Sequence, residues 1–166
     1  KPDANSVYGR SKLEGEKEIM NKDNCLIIRT SWLYSEFGLN FFKTMQKLMK
    51  EHEKIKVVFD QVGTPTYATD LAGAIMEIIS SSINNKFKNG IYHYSNEGVA
   101  SWFDFSKEIA RLTGYKGEIL AVESNEFPRP APRPPFSVMN KSKIKEVYTL
   151  NIPYWKDSLE KCFNSL

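Results

Sequence analysis

The stretch Cys25-Leu26-Ile27-Ile28-Arg29-Thr30-Ser31-Trp32-Leu33-Tyr34 indicates how the chain is built. Its first four residues are apolar and follow a polar turn at 21–24, which predicts a short buried strand over 25–28. Polar and aromatic residues follow at the carboxyl end of that strand. In open α/β sheets this end of a strand commonly faces the ligand crevice.

Strands and helices alternate on the carboxyl side of this stretch. Further strands are predicted at 56–59, 90–94 and 118–122, and a turn at 63–66. Helical spacing of apolar residues predicts helices over 7–20, 41–49, 69–79, 101–113, 140–147 and 154–163. Leu71 also marks the helix over 69–79, whose stripe Ile75-Ile78-Ile79 is predicted to belong to the core. The alternation predicts an α/β architecture.

Composition excludes several classes of protein. The 166 residues are 41% hydrophobic and 13% aromatic, which suits one globular domain or a large piece of one. A net charge of +3 is too small to predict a nucleic-acid partner. Cys25 and Cys162 lack the spacing of a metal site or a disulfide framework, which favours a cytoplasmic protein. No apolar run reaches membrane-spanning length, so no membrane partner is predicted.

The first residues predict that the chain is part of a longer protein. It starts at Lys1 rather than at a methionine, and a helix that Asn5 or Ser6 can cap begins almost at once. Its 9 glycines do not form the Gly-rich turn on which dinucleotide-binding folds seat a pyrophosphate. Any nicotinamide cofactor would therefore be bound mostly by residues outside this sequence.

The segment Tyr8-Gly9-Arg10-Ser11-Lys12 carries the strongest chemical signal. A spacing of four residues places Tyr8 and Lys12 on the same face of a helix. A free tyrosine titrates near ~10, and a neighbouring ammonium lowers the pKa of a phenol by stabilising the phenolate. Such a pair can protonate a carbonyl oxygen. About one such pair is also expected by chance, so the flanking residues have to decide.

The flanking residues resemble those of one family. Tyr8–Glu16 is similar to the Y-G-x-S-K-x-x-x-E helix of extended short-chain dehydrogenases/reductases. The blocks that follow resemble, in family order, those of the dTDP-4-dehydrorhamnose reductases. They are Arg29-Thr30-Ser31-Trp32-Leu33-Tyr34, Gly38-Leu39-Asn40-Phe41, Asp60-Gln61-Val62-Gly63-Thr64-Pro65-Thr66, Gly90-Ile91-Tyr92-His93, Ser101-Trp102 and Pro130-Ala131-Pro132-Arg133-Pro134.

The resemblance implies a fold for residues 1–166. They would form the carboxy-terminal portion of such a reductase: the catalytic helix, the later strands of a parallel Rossmann-type sheet and a smaller substrate-binding lobe. The amino-terminal cofactor-binding half would be absent. The Gly-rich turn and the catalytic Ser or Thr of the family belong to that half, so the isolated chain is predicted to be inactive.

The resemblance also implies a reaction and its residues. NADPH, with NADH as the alternative, would reduce the 4-keto group of dTDP-4-dehydro-6-deoxy-L-mannose to give dTDP-L-rhamnose. Tyr8 would donate the proton, and Lys12 would tune Tyr8 and bind the cofactor with it. Trp32 would pack against the sugar, and Asn40 and Arg133 would face the nucleotide-sugar. Metal ligands are not implied, and a homodimer is left open.

Simpler roles remain open for several of these residues. Trp32 could cover the edge of a core, Asn40 could act only as a helix cap, and Asp60-Gln61 could simply turn the chain. The proline-rich loop around Arg133 could be a substrate-side loop, a bare structural loop or a polyproline ligand for an aromatic groove.

Two other functions remain open for the protein as a whole. One is another extended short-chain enzyme, such as a nucleotide-sugar epimerase. The other is a non-catalytic regulatory subunit resembling the β subunit of methionine adenosyltransferase, although Tyr8 and Lys12 weaken that interpretation.

Overall fold

The computed structural model describes residues 6–83, 87–127 and 133–166. Its helices are α1 (Val7–Met20), α2 (Phe41–Glu51), α3 (Ala68–Ile83), α4 (Trp102–Thr113), α5 (Ser142–Tyr148) and α6 (Trp155–Asn164). Its strands are β1 (Leu26–Arg29), β2 (Leu33–Tyr34), β3 (Lys54–Val58), β4 (Val62–Gly63), β5 (Thr66–Tyr67), β6 (Gly90–His93), β7 (Ala100–Ser101) and β8 (Glu118–Val122). Residues Ser124–Glu126 form a 3₁₀ turn.

The strands pair mostly in parallel. β1 pairs with β6, β2 with β5 and β3 with β8 in parallel, whereas β4 pairs with β7 in the antiparallel direction. Parallel neighbours need long crossover connections, which here contain the helices. The α/β architecture with parallel strands is therefore confirmed.

The helices and the four longer strands lie close to the predicted segments, whereas the short strands β2, β4, β5 and β7 were not predicted. Residues 63–66 do not form only a turn, because β4 and β5 include both ends of this segment. Gly63 pairs with Ala100, and Thr66 pairs with Leu33. These partners satisfy backbone groups of a segment that is buried from Gly63 to Tyr67. Residues 128–132, the middle of the proline-rich loop, lie outside the described residues, as does Asn5.

A large aromatic cluster forms the main core. Phe42, Phe105 and Leu159 are fully buried, and Tyr34 and Trp155 are 2% exposed. These side chains come from α2, α4, α6 and β2, so the cluster fixes those elements against one another. Each such burial stabilises the fold by roughly 1.5–3 kcal/mol relative to an exposed side chain.

A second, smaller cluster packs around β6. Ile78 of α3, Tyr92 and Tyr94 in and after β6, and Ile144 of α5 are its buried members, together with Leu150 and others. In α3 the structure corrects the prediction that Ile75, Ile78 and Ile79 all belong to the core. Ile78 is 3% exposed, but Ile75 is 38% and Ile79 51% exposed. They lie on a side of α3 that the described residues leave open.

Asn96 joins elements of both clusters by hydrogen bonds. Its Nδ2 donates to Asp70 Oδ2 (2.7 Å) and Ser158 Oγ (2.8 Å), and its Oδ1 accepts from the backbone N–H of Tyr67 (2.8 Å). Asn96 and Ser158 are fully buried. Because a buried polar group left without a partner is costly, this network fixes α3 and α6 around the strand end at Tyr67.

No helix among the described residues combines the length and the apolar character that crossing a bilayer requires. The same residues contain no group of three His, Cys, Asp or Glu side chains that could hold a metal ion. Cys162 is a buried thiol in the aromatic cluster, and burial raises its pKa to about 12.

Candidate functional site

Tyr8 and Lys12 lie together on the outer face of α1. Ser6 caps this helix, with its Oγ accepting from the N–H of Gly9 at 3.0 Å. The Nζ of Lys12 lies 5.5 Å from the centroid of the Tyr8 ring, and both side chains are exposed, Tyr8 to 71%. The spacing of one helical turn therefore brings the phenol and the ammonium to one side, as predicted.

One ion pair ties α1 to the sheet. Arg29, the last residue of β1, donates from Nε and from Nη2 to the two carboxylate oxygens of Glu16, at 2.7 and 2.5 Å. This hydrogen bonding lowers the pKa of the Glu16 carboxyl and raises the pKa of Arg29. Within α1, all of which is described, no side chain is buried. The bidentate pair therefore links this helix to the end of β1.

Trp32, which follows β1, has a strained backbone. Its φ is +48°, a backbone conformation that residues other than Gly, Asn or Asp rarely adopt. Its carbonyl accepts from the N–H of Thr66 (3.1 Å), and Thr66 Oγ1 donates to the carbonyl of Ser31 (2.6 Å). A Cβ on Gly63 would lie 2.7 Å from the Trp32 ring, so a glycine is required there. Backbone strain of this kind persists only where surrounding contacts impose it.

The ring of Trp32 is stacked on the ring of Trp102. The ring centroids lie 3.6 Å apart with an interplanar angle of 8°, and Phe41 of α2 packs on Trp102 at 4.4 Å. Trp102 is the first residue of α4, where Ser101 and Asp104 form a reciprocal capping box. This cap fixes the start of the helix and therefore the position of the indole that leaves it.

The other two predicted substrate residues are Arg133 and Asn40. The guanidinium of Arg133 is 5.9 Å from the centroid of the Trp102 ring. Asn40 caps α2, accepting from the N–H of Lys43 (3.1 Å), and its Nδ2 donates to the carbonyls of Ser35 (2.9 Å) and Phe37 (3.1 Å). The capping role of Asn40 is confirmed, and its contact with substrate stays a prediction.

Asp60 and Gln61 bind Ser124, near the start of the proline-rich loop. Asp60 accepts from the N–H (2.9 Å) and the Oγ (2.6 Å) of Ser124, whose Oγ also accepts from Gln61 Nε2 (2.7 Å). These hydrogen bonds lower the pKa of Asp60. Val62 binds the far end of the loop, since its N–H donates to Pro135 O and its carbonyl accepts from the N–H of Ser137, both at 2.8 Å. Residues 60–62 therefore anchor both ends of the segment that carries Arg133.

The structure thus brings the predicted residues together in two groups. Tyr8 and Lys12 form one group on α1, and Trp32 and Arg133 form the other, joined by Trp102. The reasoning from sequence missed the contacts of Trp102 and Gly63 with Trp32, and the pairing of Glu16 with Arg29. A signal existed for Trp102, a large aromatic directly after a capping serine, but its stacking partner lies 70 residues earlier in the chain.

The fold and this arrangement define the class of the protein. Parallel strands linked by helices, with an exposed Tyr-x-x-x-Lys pair on a helix before a strand, are features of the extended short-chain dehydrogenases/reductases. The chain belongs to the RmlD substrate-binding-domain family, whose sequence model matches residues 1–166.

Individual relatives agree with this assignment. The chain is 38% identical to the spore coat polysaccharide biosynthesis protein SpsK of Bacillus subtilis, over 96% of this chain and 54% of that protein. It superposes with a TM-score of 0.91 on a dTDP-4-dehydrorhamnose reductase of Clostridium acetobutylicum (40% identity, 99% of this chain, 57% of that one). The TM-score is 0.90 for the Bacillus anthracis reductase solved in complex with NADP (41% identity, 99% and 57%). The chain spans about half the length of these relatives.

Proposed function

We propose that this chain is the proton-donating and substrate-binding portion of an NADPH-dependent nucleotide-sugar reductase. The reaction proposed is reduction of the 4-keto group of dTDP-4-dehydro-6-deoxy-L-mannose to dTDP-L-rhamnose. The observation that carries the proposal is the exposed Tyr8–Lys12 pair on a chain of the RmlD substrate-binding family. The relatives named dTDP-4-dehydrorhamnose reductase support the choice of substrate.

Tyr8 is proposed to donate the proton in this reaction. As a hydride reaches the carbonyl carbon, negative charge develops on the oxygen, and the Tyr8 hydroxyl protonates that oxygen. The resulting phenolate is stabilised by the ammonium of Lys12, which lies 5.5 Å from the ring centroid. Because Tyr8 is 71% exposed, its hydroxyl is open to a substrate arriving from outside the chain.

The cofactor proposed is NADPH, which when bound would supply the hydride. Lys12 and Tyr8 are exposed hydrogen-bonding groups on one helix face, so they fit the hydroxyls of a ribose. The Bacillus anthracis relative solved with NADP supports this choice. Since the chain spans about half of its relatives' length, the activity is proposed for a full-length protein that also carries a Gly-rich turn. Residues 1–166 alone are expected to be inactive.

The nucleotide-sugar is proposed to contact the group around Trp102. Trp32 offers an aromatic ring of the kind that packs against sugars, and Arg133 can bind a pyrophosphate through charge-assisted hydrogen bonds. Asn40, at the start of the helix whose Phe41 packs on Trp102, is the third proposed contact.

Substitution of Tyr8 tests the proposed role most directly. In the full-length protein, Tyr8→Phe should lower the rate of NADPH oxidation with the 4-keto sugar about 10²–10⁴-fold, because the phenyl ring has no proton to donate. Tyr154→Phe is the matched control, since Tyr154 is another exposed tyrosine (43%) and lies at the start of α6. It should keep the wild-type rate.

Two results would contradict the proposal. Full turnover by Tyr8→Phe would remove Tyr8 from the chemistry. A wild-type full-length protein that reduces no dTDP-sugar but forms a stable hetero-oligomer with a catalytic subunit would instead favour the regulatory-subunit function. Comparing dTDP- and UDP-sugars as stabilisers against thermal unfolding separates the reductase from an epimerase.

A further inference from the structure

We propose that Trp102 is a positioning residue that makes Trp32 and Arg133 act as one unit in nucleotide-sugar binding. This inference rests on the proposed function, because it concerns how that substrate is held. Trp102 is not itself a proposed substrate contact. It belongs to the site because its ring lies against Trp32 and Arg133. Trp102 stacks on Trp32 at 3.6 Å and lies 5.9 Å from the guanidinium of Arg133.

The first support is that Trp102 itself is held firmly. Its backbone starts α4 under the Ser101–Asp104 capping box, and β7 directly before it pairs with β4. Phe105, one turn further along α4, is fully buried in the aromatic cluster. The indole of Trp102 therefore projects from a fixed helix start rather than from a loop.

The second support is the conformation of Trp32. An aromatic residue at φ +48° stores strain that other contacts must offset. The backbone hydrogen bond from Thr66 and the stacked Trp102 ring are such contacts. Gly63 leaves the space for the Trp32 ring, since a Cβ there would lie 2.7 Å from it. Gly63 pairs with Ala100 of β7, two residues before Trp102. The pairing of β4 with β7 therefore fixes both the space for the Trp32 ring and the position of Trp102, on which that ring stacks.

The third support is the position of Arg133. This exposed arginine lies on a segment anchored to Val62, which pairs with Ser101 next to Trp102. A guanidinium within about 6 Å of an indole centroid is attracted by the face of the ring. Trp102 thus contacts one proposed sugar-binding residue through stacking and one proposed phosphate-binding residue through its π face.

The consequence is energetic coupling between residues that are distant in sequence. If Trp102 orients both neighbours, its removal should weaken substrate binding, and Arg133 should then contribute less than it does in the wild type. Independent residues would instead give additive effects.

A double-mutant cycle in the full-length protein tests this coupling. The variants are Trp102→Leu, Trp102→Phe, Arg133→Ala and the double variant Trp102→Leu/Arg133→Ala. The probes are dTDP and dTDP-L-rhamnose, titrated by calorimetry. Trp102→Leu should weaken dTDP-L-rhamnose binding about tenfold and Trp102→Phe clearly less, because a phenyl ring retains stacking. The effect of Arg133→Ala should shrink about threefold in the Trp102→Leu background.

Kinetics and a spectroscopic signal separate positioning from a general loss of structure. Trp102→Leu should raise KM much more than it lowers kcat, since the proton donor on α1 is untouched. Stacked indoles also give an exciton couplet in circular dichroism, which should vanish in Trp102→Leu and in Trp32→Leu. Phe103→Leu, the next aromatic on α4 and half-buried against the core, is the control. It should keep both the couplet and the affinity.

The outcomes distinguish this inference from the proposed function. Strictly additive effects of Trp102→Leu and Arg133→Ala, or wild-type affinity of Trp102→Leu, would overturn the positioning role while leaving the reductase proposal intact. A wild-type protein that binds neither probe would overturn both. Coupling together with partial rescue by Trp102→Phe would support the role.

Discussion

Helix α1 carries Tyr8 and Lys12, helix α4 carries Trp102 at its start, and the two helices are held in the fold in opposite ways. No side chain of α1 is buried, and its Glu16 reaches Arg29 at the end of β1. On α4, Phe105 and Ile109 are fully buried, and both ends are capped, by Ser101–Asp104 and by Gly114 in the left-handed conformation. Within the described residues, the proposed proton donor Tyr8 thus lies on a helix without buried side chains, whereas Trp102 of the substrate-side group lies on a packed one.

This difference has a chemical logic. A proton donor needs an open face toward cofactor and substrate, so burial against its own chain would block it. Recognition of a sugar instead needs rings at fixed angles, and fixed angles come from packing and caps. Within the described residues, the Glu16–Arg29 pair links α1 to the end of β1, where α1 buries no side chain. Three predictions test this contrast, from the largest expected effect to the smallest.

Matched isoleucines on the two helices give the largest contrast. Ile109→Ala on α4 should lower the free energy of unfolding by about 2–5 kcal/mol, because it leaves a cavity at a fully buried position. Ile19→Ala on α1, where Ile19 is 37% exposed, should change it by less than about 1 kcal/mol. Urea unfolding of both variants measures this. An equal loss from Ile19→Ala would show that α1 is packed as deeply as α4.

Breaking the Glu16–Arg29 pair, which links α1 to β1, should give a smaller and pH-dependent loss of stability. Glu16→Gln should lower the free energy of unfolding by roughly 1–2 kcal/mol at neutral pH, because it breaks a bidentate pair with Arg29. The pKa of Glu16 is lowered in the fold from its usual 4.5. The contribution is therefore complete above pH ~4.5 and disappears as the pH falls through the lower folded pKa.

Glu14→Gln is the control for this anchor. Glu14 pairs with Lys17 across one turn of α1, but both side chains are more than half exposed (66% and 54%). Such surface pairs contribute about 0.5 kcal/mol or less. Unfolding curves of wild type and Glu16→Gln that stay equally far apart from pH 7 down to pH 3 would argue against the ionic anchor.

Weakening the hydrogen bonds between Asp60 and Ser124 should have the smallest effect on the free energy of unfolding. Asp60→Asn should lower the free energy of unfolding by about 0.5–1 kcal/mol, since an amide accepts more weakly from the N–H and Oγ of Ser124. Asp23→Asn, in the exposed turn after α1, serves as the control and should be neutral. The pKa of Asp60 is also lowered, so its stabilisation should fade at acidic pH. An effect larger than that of Glu16→Gln would reverse the expected order.

Local patterns explain why much of the fold could be predicted. Helix α1 was placed with its observed bounds because its cap and its spacing are contained in a short segment. The Tyr8–Lys12 pair was predicted for the same reason, since residues four apart on a helix are neighbours wherever the helix lies. The strands at the two ends of residues 63–66 could not be predicted in this way. Short strands such as β4 and β5 depend on partners that lie far away in the chain.

The sequence by itself determined the order of the helices and of the four longer strands, the family, and the placement of Tyr8 and Lys12 on the same face of α1. Each of these depends on spacing within a segment or on ordered motifs. Only the tertiary structure decided that Trp32 stacks on Trp102, that Gly63 leaves space for the Trp32 ring, and that α1 buries no side chain. Contacts between distant segments depend on how strands pair and cores pack, and no local period encodes them.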